Sequence, residues 1–225
     1  MSYQNDSLRH FAVKDCALVA IATGKKAQNL RELRDNLLDI HPGSIYYHYW
    51  GGLLKPQFDD PEFRNDFARW CHYSLHDELL AERLGIIDPT NYEDLEGLRQ
   101  ETIEIVEQRL DEMDRPTWVR LDKQFHFIRS QIVVFDTRLL IQTPEQMMET
   151  LPRLSVGSIF YHFIDARRRV PDSLDDFTLW LAGCGEEYLP LCDHLAELDP
   201  YFGSLGELRT NLSETFNAFF QRDPS

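Results

Sequence analysis

Residues 43–49 of the chain read Gly-Ser-Ile-Tyr-Tyr-His-Tyr, and residues 157–163 read Gly-Ser-Ile-Phe-Tyr-His-Phe. The two segments differ only where tyrosine is exchanged for phenylalanine. The similarity extends toward the N-terminus at the same shift of 114 residues, because ten of 39 positions are identical without a gap between 11–49 and 125–163. This order predicts a tandem duplication of a unit of roughly a hundred residues, with two pseudo-equivalent halves.

A second block of similarity follows a short deletion in the second half. Residues 66–70, Asp-Phe-Ala-Arg-Trp, match residues 176–180, Asp-Phe-Thr-Leu-Trp. We therefore assign the first repeat to residues 1–113 and the second repeat to residues 125–225. The charged, proline-containing segment 114–124 is assigned as the linker.

Apolar periodicity predicts a mainly α fold with short β segments, which is an α+β class. Each repeat opens with a run rich in β-branched residues, at 17–21 and at 132–135, and such runs are typical of strands. Helix starts follow at capping boxes or N-cap residues. These are predicted at Asn29, Asp60, Thr90, Thr143 and Ser204. Each repeat is therefore expected to hold one strand or hairpin and about five helices.

Charge and composition exclude some partners. The chain has 23 basic and 38 acidic residues and a formal net charge of −15. Such a balance repels nucleic acid and anionic membrane surfaces. No apolar run approaches the ~20 residues of a transmembrane helix, and no secretory signal is evident at the N-terminus. With four cysteines and no close Cys pair, we expect a cytoplasmic protein with reduced thiols.

The repeated histidines, His48 and His162, are the first candidate site residues. With Tyr47 and Tyr161 beside them, they could serve as a general base, a metal ligand or part of a stacking platform. The alternative is an aromatic core helix whose histidine satisfies a buried carbonyl or carboxylate. The sequence leaves both readings open.

A repeated acidic residue lies four positions before a repeated tryptophan. Asp66 precedes Trp70, and Asp176 precedes Trp180. A carboxylate at this place could orient the imidazole of the same repeat, as carboxylates do for ligating histidines. Equally, it could stabilise the N-terminus of its own helix through the helix dipole.

Three consecutive arginines at 167–169 follow the second aromatic-histidine segment. Guanidinium groups suit phosphate or carboxylate ligands, whereas a solvated helix face with ion pairs is the alternative. The predicted ligand-binding residues are Tyr47, His48, Asp66, Trp70, Tyr161, His162, Arg167, Arg168, Arg169, Asp176 and Trp180.

A metal site is not expected. His72 and His76 have the i, i+4 spacing of metal ligands, with Cys71 nearby. However, the second repeat has Leu181 and Ala182 opposite Cys71 and His72, and no glutamate lies between the histidines. We therefore predict no metal and no cofactor.

Several segments together resemble an uncharacterised bacterial family that is defined only as a domain of unknown function. They are the two aromatic-histidine segments, 65–70 (Asn-Asp-Phe-Ala-Arg-Trp), 80–84 (Leu-Ala-Glu-Arg-Leu), Asp88-Pro89 and 165–169 (Asp-Ala-Arg-Arg-Arg). The resemblance covers nearly the whole chain. It implies a stand-alone cytoplasmic protein linked to carbohydrate metabolism, and it implies no residue roles.

Two classes of function follow. The first is a non-catalytic ligand-binding or regulatory accessory protein, whose partner is a small anionic ligand or another protein. The second is an enzyme that uses His48 or His162 with Asp66 or Asp176 on an anionic small molecule. We favour the first class, because no nucleophile–base pair or metal set is specified by spacing. The oligomeric state is not predicted.

Overall fold

The computed structural model describes residues 10–55, 62–115, 117–170, 173–201 and 203–222. Most of these residues are helical. Two long strands, β1 (Phe11–Ala27) and β2 (Phe125–Ile141), pair in a two-stranded antiparallel sheet. The α+β class is therefore confirmed, and the strands are longer than the short runs that the sequence predicted.

The chain forms two compact units. The first unit comprises residues 18–132, and the second comprises residues 10–17 with 133–222 among those described. The α-helices of the first unit are α1 (Leu30–Leu37), α2 (Pro42–Trp50), α3 (Asp66–Trp70), α4 (Glu78–Gly85) and α5 (Leu95–Glu112). Those of the second unit are α6 (Pro144–Thr150), α7 (Val156–Ile159), α8 (Ala166–Arg169), α9 (Asp176–Cys184), α10 (Leu189–Ala196) and α11 (Leu205–Arg222).

Two π-helical segments continue α-helices. Cys71–Leu75 follows α3, and Phe160–Asp165 joins α7 to α8. Tyr47 lies in a regular α-helix and Tyr161 in a π-helix, so the two aromatic-histidine segments differ locally. Short 3₁₀ turns complete the helical structure at Pro89–Asn91, Leu121–Lys123, Leu151–Arg153 and Glu186–Tyr188.

No described helix has both the length and the apolar composition needed to cross a membrane.

Three of the predicted helix starts are confirmed. The side chain of Asn29 accepts a hydrogen bond from the Glu32 amide, and Thr143 does the same for Gln146. Ser204 is one half of a complete capping box, because Glu207 accepts from the Ser204 amide in return.

The other two predicted starts have different outcomes. Asp60 lies outside the described residues, and α3 begins only at Asp66, with Asn65 as its buried N-cap. The start at Thr90 is wrong, because Thr90 lies in a 3₁₀ turn. Helix α5 begins after Asp94, whose carboxylate accepts from two amides of the first helical turn.

Each strand is shared by the two units. Residues 125–132 of β2 lie in the first unit with the helices of residues 30–112, and residues 11–17 of β1 lie in the second unit with the later helices. Each unit thus combines the helices of one sequence repeat with the opening strand residues of the other. The predicted boundaries 1–113, 114–124 and 125–225 concern sequence similarity and stay a prediction.

Residues paired by the sequence comparison make matching contacts along the sheet. Thr23 Oγ1 donates to the Phe127 carbonyl at 2.6 Å, and Thr137 Oγ1 donates to the Val13 carbonyl at 2.5 Å. Thr137 lies 114 residues after Thr23, and Phe127 lies 114 residues after Val13, so the two contacts correspond.

The exchange of tyrosine for phenylalanine has a structural reason at one position. Tyr49 is fully buried, and its hydroxyl lies 2.7 Å from Thr102 Oγ1. Thr102 donates its own proton to the Leu98 carbonyl, so Tyr49 is the donor to Thr102. In the second unit the corresponding residues, Phe163 and Leu212, are both apolar and fully buried. The polar pair is therefore replaced as a pair, which leaves no buried hydroxyl unsatisfied.

Cleavage of the linker tests the sharing of strands. We introduce a protease site between Asp114 and Arg115 and cut the folded protein. The two fragments are expected to co-elute in native gel filtration, because each compact unit contains residues of both. Phe11→Ser with Phe125→Ser should weaken this association, since both buried rings are lost. Separate elution of the cut, unsubstituted fragments would contradict the strand assignment.

Candidate functional site

His48 bridges a carboxylate and a strand in the first unit. Helix α2 places its ring in the core, where the residue is 3% exposed. Nδ1 lies 3.0 Å from Asp66 Oδ2 at the start of α3, and Nε2 accepts a hydrogen bond from the Ile128 amide of β2 at 3.1 Å. We call this arrangement the first histidine bridge.

His162 makes the same bridge in the second unit. It is also 3% exposed. Nδ1 lies 2.7 Å from Asp176 Oδ2 at the start of α9, and Nε2 accepts from the Lys14 amide of β1 at 2.8 Å. Lys14 and Ile128 are themselves 114 residues apart, so all three partners of the second histidine bridge correspond to those of the first.

The strand amides determine the tautomer of both rings. A backbone N–H can only donate, so each Nε2 carries a lone pair and each Nδ1 carries the proton that is donated to the carboxylate. Both imidazoles are therefore neutral, and both ring nitrogens are used within the protein. This geometry fits the alternative of a buried, satisfied histidine. A ligand-binding role for His48 and His162 stays a prediction.

Matching aromatic clusters surround the two bridges. In the first unit, Phe125 lies 4.7 Å from His48, 5.1 Å from Phe67 and 5.6 Å from Trp70, measured between ring centroids. These rings exclude water from the imidazole, so the hydrogen bonds of the bridge form in a medium of low polarity.

In the second unit the equivalent ring is Phe11. It lies 4.6 Å from His162, 5.1 Å from Phe177 and 5.6 Å from Trp180. The tryptophans differ in their polar contact. Trp70 Nε1 donates to the Lys123 carbonyl, whereas Trp180 Nε1 has no hydrogen-bond partner among the described residues. Both tryptophans that the sequence marked as ligand-binding thus lie in the cores.

The repeated glycine lets the helix approach the strand edge. A Cβ on Gly157 would lie 2.5 Å from the Cys16 carbonyl oxygen and would also collide with the Asp15 carboxylate. A Cβ on Gly43 would lie 3.2 Å from the Ser130 carbonyl oxygen. Cys16 and Ser130 are 114 residues apart, so the repeated Gly-Ser-Ile-aromatic-Tyr-His segment is the part of each helix that contacts a strand edge.

Electrostatics keep the first bridge in its neutral-imidazole form. Burial lowers the pKa of His48, and although the Asp66 carboxylate opposes this effect, the charge of Lys55 adds to it. Burial raises the pKa of Asp66, but the hydrogen bond and charge of His48, with the charges of Lys55 and Arg69, lower it overall. The carboxylate is therefore ionised and the imidazole neutral near pH 7.

A cation lies over the repeated tyrosine in both units. Lys55 Nζ is 4.8 Å from the centroid of the Tyr47 ring, and the Arg169 guanidinium is 4.0 Å from that of Tyr161. Lys55 and Arg169 are 114 residues apart. The shift that relates the two aromatic-histidine segments therefore also relates these two cations.

Two of the three predicted arginines are engaged in ion pairs. Arg168 and Arg169 each donate to one oxygen of Asp165, a carboxylate that is 2% exposed. Arg169 also donates to Asp176 at 3.2 Å and to the Tyr161 carbonyl at 2.9 Å. Since a buried carboxylate needs such partners, this geometry favours the ion-pair alternative. Their anion-binding role stays a prediction.

Arg167 has different surroundings. Its guanidinium lies 4.8 Å from the centre of the Phe163 ring, and its buried Nε has no hydrogen-bond partner among the described residues. Its charge acts on Asp175, the N-cap of α9. Burial raises the pKa of Asp175 overall, although hydrogen bonds from Thr178 and the charge of Arg167 oppose that rise.

Thiol and metal chemistry receive no support from the described residues. All four cysteines are unpaired. Burial, with the nearby Asp165 and Asp15 carboxylates, raises the pKa of Cys16 to about 12, so its thiol stays protonated near neutral pH. No group of three or more His, Cys, Asp or Glu residues within the described ranges could hold a metal ion. His72 lies 3.7 Å from Glu62, and His76 follows the π-helix with a φ of 56°.

The second unit contains an open groove between α10 and α11 with a volume of about 620 Å³. Pro190, Leu198, Ala218 and Phe219 form its apolar wall. Its polar rim consists of His194, Asn211, Glu214 and Thr215. The volume is in the range of small-molecule sites.

This groove and its residues were not predicted from the sequence. The core stripe of α11 is Leu205, Leu208, Leu212 and Phe216. Asn211, Thr215 and Phe219 repeat at intervals of four residues on another face of the same helix. An exposed face that carries both an aromatic ring and polar residues at helical spacing was the signal available in the sequence.

Comparisons with known proteins give a family match and a match to a solved structure. A model of a family of unknown function, DUF5752, matches residues 8–217. Among solved structures, the structure of OrfY from Thermoproteus tenax is similar, with 25% sequence identity and a TM-score of 0.80. That match covers 94% of this chain and 96% of that chain. No curated protein matches the chain. The resemblance to an uncharacterised family is thereby confirmed.

A glycine pair tests the close contact between helix and strand. Gly157→Ala should lower the free energy of unfolding by about 1–3 kcal/mol, because the new Cβ overlaps strand β1. Gly206→Ala in α11 is the matched control, since its Cβ would meet nothing closer than Ser204 Oγ at 3.8 Å. The control should be neutral or stabilising by up to about 1 kcal/mol. Urea unfolding measures both, and equal stability of the two variants would refute the contact.

Proposed function

The chain belongs to the DUF5752 family of unknown function, and we propose that it is a non-catalytic ligand-binding protein with a regulatory or accessory role. In this proposal the binding site is the groove between α10 and α11. The two histidine bridges hold the fold together and take no part in chemistry.

The observation that carries the proposal is that two polar side chains of the groove form no hydrogen bond within the described protein. The side chains of Asn211 and Glu214 have no hydrogen bond to any other described residue, although both line a cavity of ligand size. Phe219 also lines the groove and offers an apolar surface. Convergent polar groups around an apolar cleft are the usual form of a small-molecule site.

The enzyme alternative has less support. A general base needs a lone pair that can reach a substrate proton. Nε2 of His48 and Nε2 of His162 both accept from strand amides, and each Nδ1 donates to a carboxylate. A substrate could reach the Nε2 lone pair of either ring only if the strand amide moved away from it.

A tandem duplication is part of the same proposal. It is supported by the paired bridges, by the paired threonine contacts along the sheet, and by the arginines Arg99 and Arg209. These two donate from α5 and α11 to the carbonyls of Leu37 and Leu154, respectively. The two repeats would then have diverged, and the groove would be the specialised feature of the second unit.

The proposal also includes the predictions of location, metabolic link and partner that were made from the sequence. They are the cytoplasmic location, the link to carbohydrate metabolism, and a small anionic ligand or a protein as partner. Sugar phosphates and nucleotide sugars therefore belong in any ligand screen of this protein.

A groove-filling variant tests the proposed function. A library of metabolites that includes sugars, sugar phosphates, organic acids and amines is screened by thermal shift against the unsubstituted protein. Ala218→Trp should abolish the shift of any true ligand, because the indole occupies the groove. A ligand at about 100 times its dissociation constant raises stability by roughly 2.7 kcal/mol, which is easily measured.

Ala182→Trp provides the matched control. Ala182 is an exposed alanine of α9, outside the groove lining, so this variant should keep every shift. A ligand whose shift survives Ala218→Trp would place binding elsewhere. Turnover of any library compound by the protein would contradict the non-catalytic assignment.

A further inference from the structure

The rim of the groove offers more hydrogen-bond acceptors than donors. His194 Nδ1 lies 2.5 Å from the Pro190 carbonyl, which can only accept, so Nδ1 carries the proton and Nε2 of the neutral ring is an acceptor. Thr215 Oγ1 donates its proton to the Asn211 carbonyl, which leaves its oxygen lone pairs as acceptors. Glu214 is an acceptor when ionised. Only the Asn211 amide adds donors to the rim.

The described lining of the groove carries negative charge. Glu214 is exposed and forms no ion pair with another described residue. No lysine or arginine is among the described residues that line the groove. Arg209 of α11 donates to the Leu154 carbonyl and is not part of the lining. Among the described lining residues, an anionic ligand would therefore meet a carboxylate without a compensating cation.

The apolar wall limits the shape of the ligand. Leu198, Ala218 and Phe219 contribute hydrocarbon surface to the same groove as Glu214. A fully polar cation would leave this surface in contact with water. A cation attached to a hydrocarbon chain would cover it, and the ring of Phe219 can also attract a positive charge over its face.

We propose that the groove between α10 and α11 binds a small organic cation, an ammonium or guanidinium group carried on an aliphatic chain. Its charged head contacts Glu214 and the acceptors of His194 and Thr215, and its chain lies against Leu198 and Phe219. This inference rests on the proposed binding site in the groove, and it assigns a cationic ligand in place of the anionic ligand expected from the sequence.

Three probes with the same chain separate the effect of charge from that of hydrocarbon. The probes are n-hexylammonium, 1-hexanol and hexanoate at pH 7.5 and low ionic strength, titrated against the full chain and followed by NMR on the amides of Thr215, Ala218 and Phe219. Hexylammonium should bind more tightly than hexanol by roughly fivefold, since an ion pair with an exposed carboxylate adds a modest amount. Hexanoate should bind most weakly.

Glu214→Gln should bring the affinity for hexylammonium down to that for hexanol. Glu197→Gln, an exposed residue next to α10 but outside the lining, removes the same charge from the region and should leave the preference unchanged. Equal or tighter binding of hexanoate would overturn the inference. So would the absence of binding by all three probes, or an unchanged affinity for hexylammonium in Glu214→Gln.

The failure of this inference is distinct from the failure of the proposed function. If the cationic probe fails but a library compound loses its thermal shift on Ala218→Trp, the groove is a binding site for another ligand class. If no compound in the library responds to that substitution, both proposals fall.

Discussion

The hydrogen bond between a strand amide and a buried imidazole is the interaction on which each compact unit depends. An amide on a strand edge that a helix covers needs an acceptor, and leaving it unsatisfied costs about 1–3 kcal/mol. His48 and His162 supply that acceptor, and Asp66 and Asp176 hold each ring in the required tautomer. The glycine at the start of each segment follows from the same need, because the helix must come close enough for the ring to reach the strand.

This arrangement accounts for the polar residues that first suggested chemistry. An imidazole that accepts from the backbone must stay neutral, so its carboxylate partner needs other cations nearby. Lys55 and Arg169 lie beside these carboxylates, over the rings of Tyr47 and Tyr161. The groove of the second unit contrasts with the bridges, because the Asn211 and Glu214 side chains on its rim form no hydrogen bond with another described residue. Function is therefore better sought there than at the repeated motif.

Local features of the fold could be predicted from the sequence, and long-range ones could not. The helix caps at Asn29 and Ser204 act over three residues, so their residue types alone define them. The pairing of His48 with Asp66 was predictable as one of two readings, since both are repeated. The strand partners of the bridges lie 80 and 148 residues away from the histidines. Periodicity in the sequence predicts the type of each element, and it does not predict which helices Phe125 or Phe11 will contact. Helix α5 begins late because the Asp94 carboxylate accepts from two amides, a stronger cap than Thr90 offers.

The state of the His48 ring tests this account most directly. Nitrogen-15 NMR of the histidine side chains, followed from pH 8 to pH 5, reports which ring nitrogen carries the proton. The folded pKa of His48 is lowered, so stability from the neutral ring is present above the ordinary pKa of about 6.5 and declines as the pH falls below it. We predict a proton on Nδ1, an unprotonated Nε2 coupled to the Ile128 amide, and persistence of this form well below pH 6.5 in the folded protein. A ring protonated on Nε2, or one that titrates near pH 6.5 while the protein stays folded, would contradict the account.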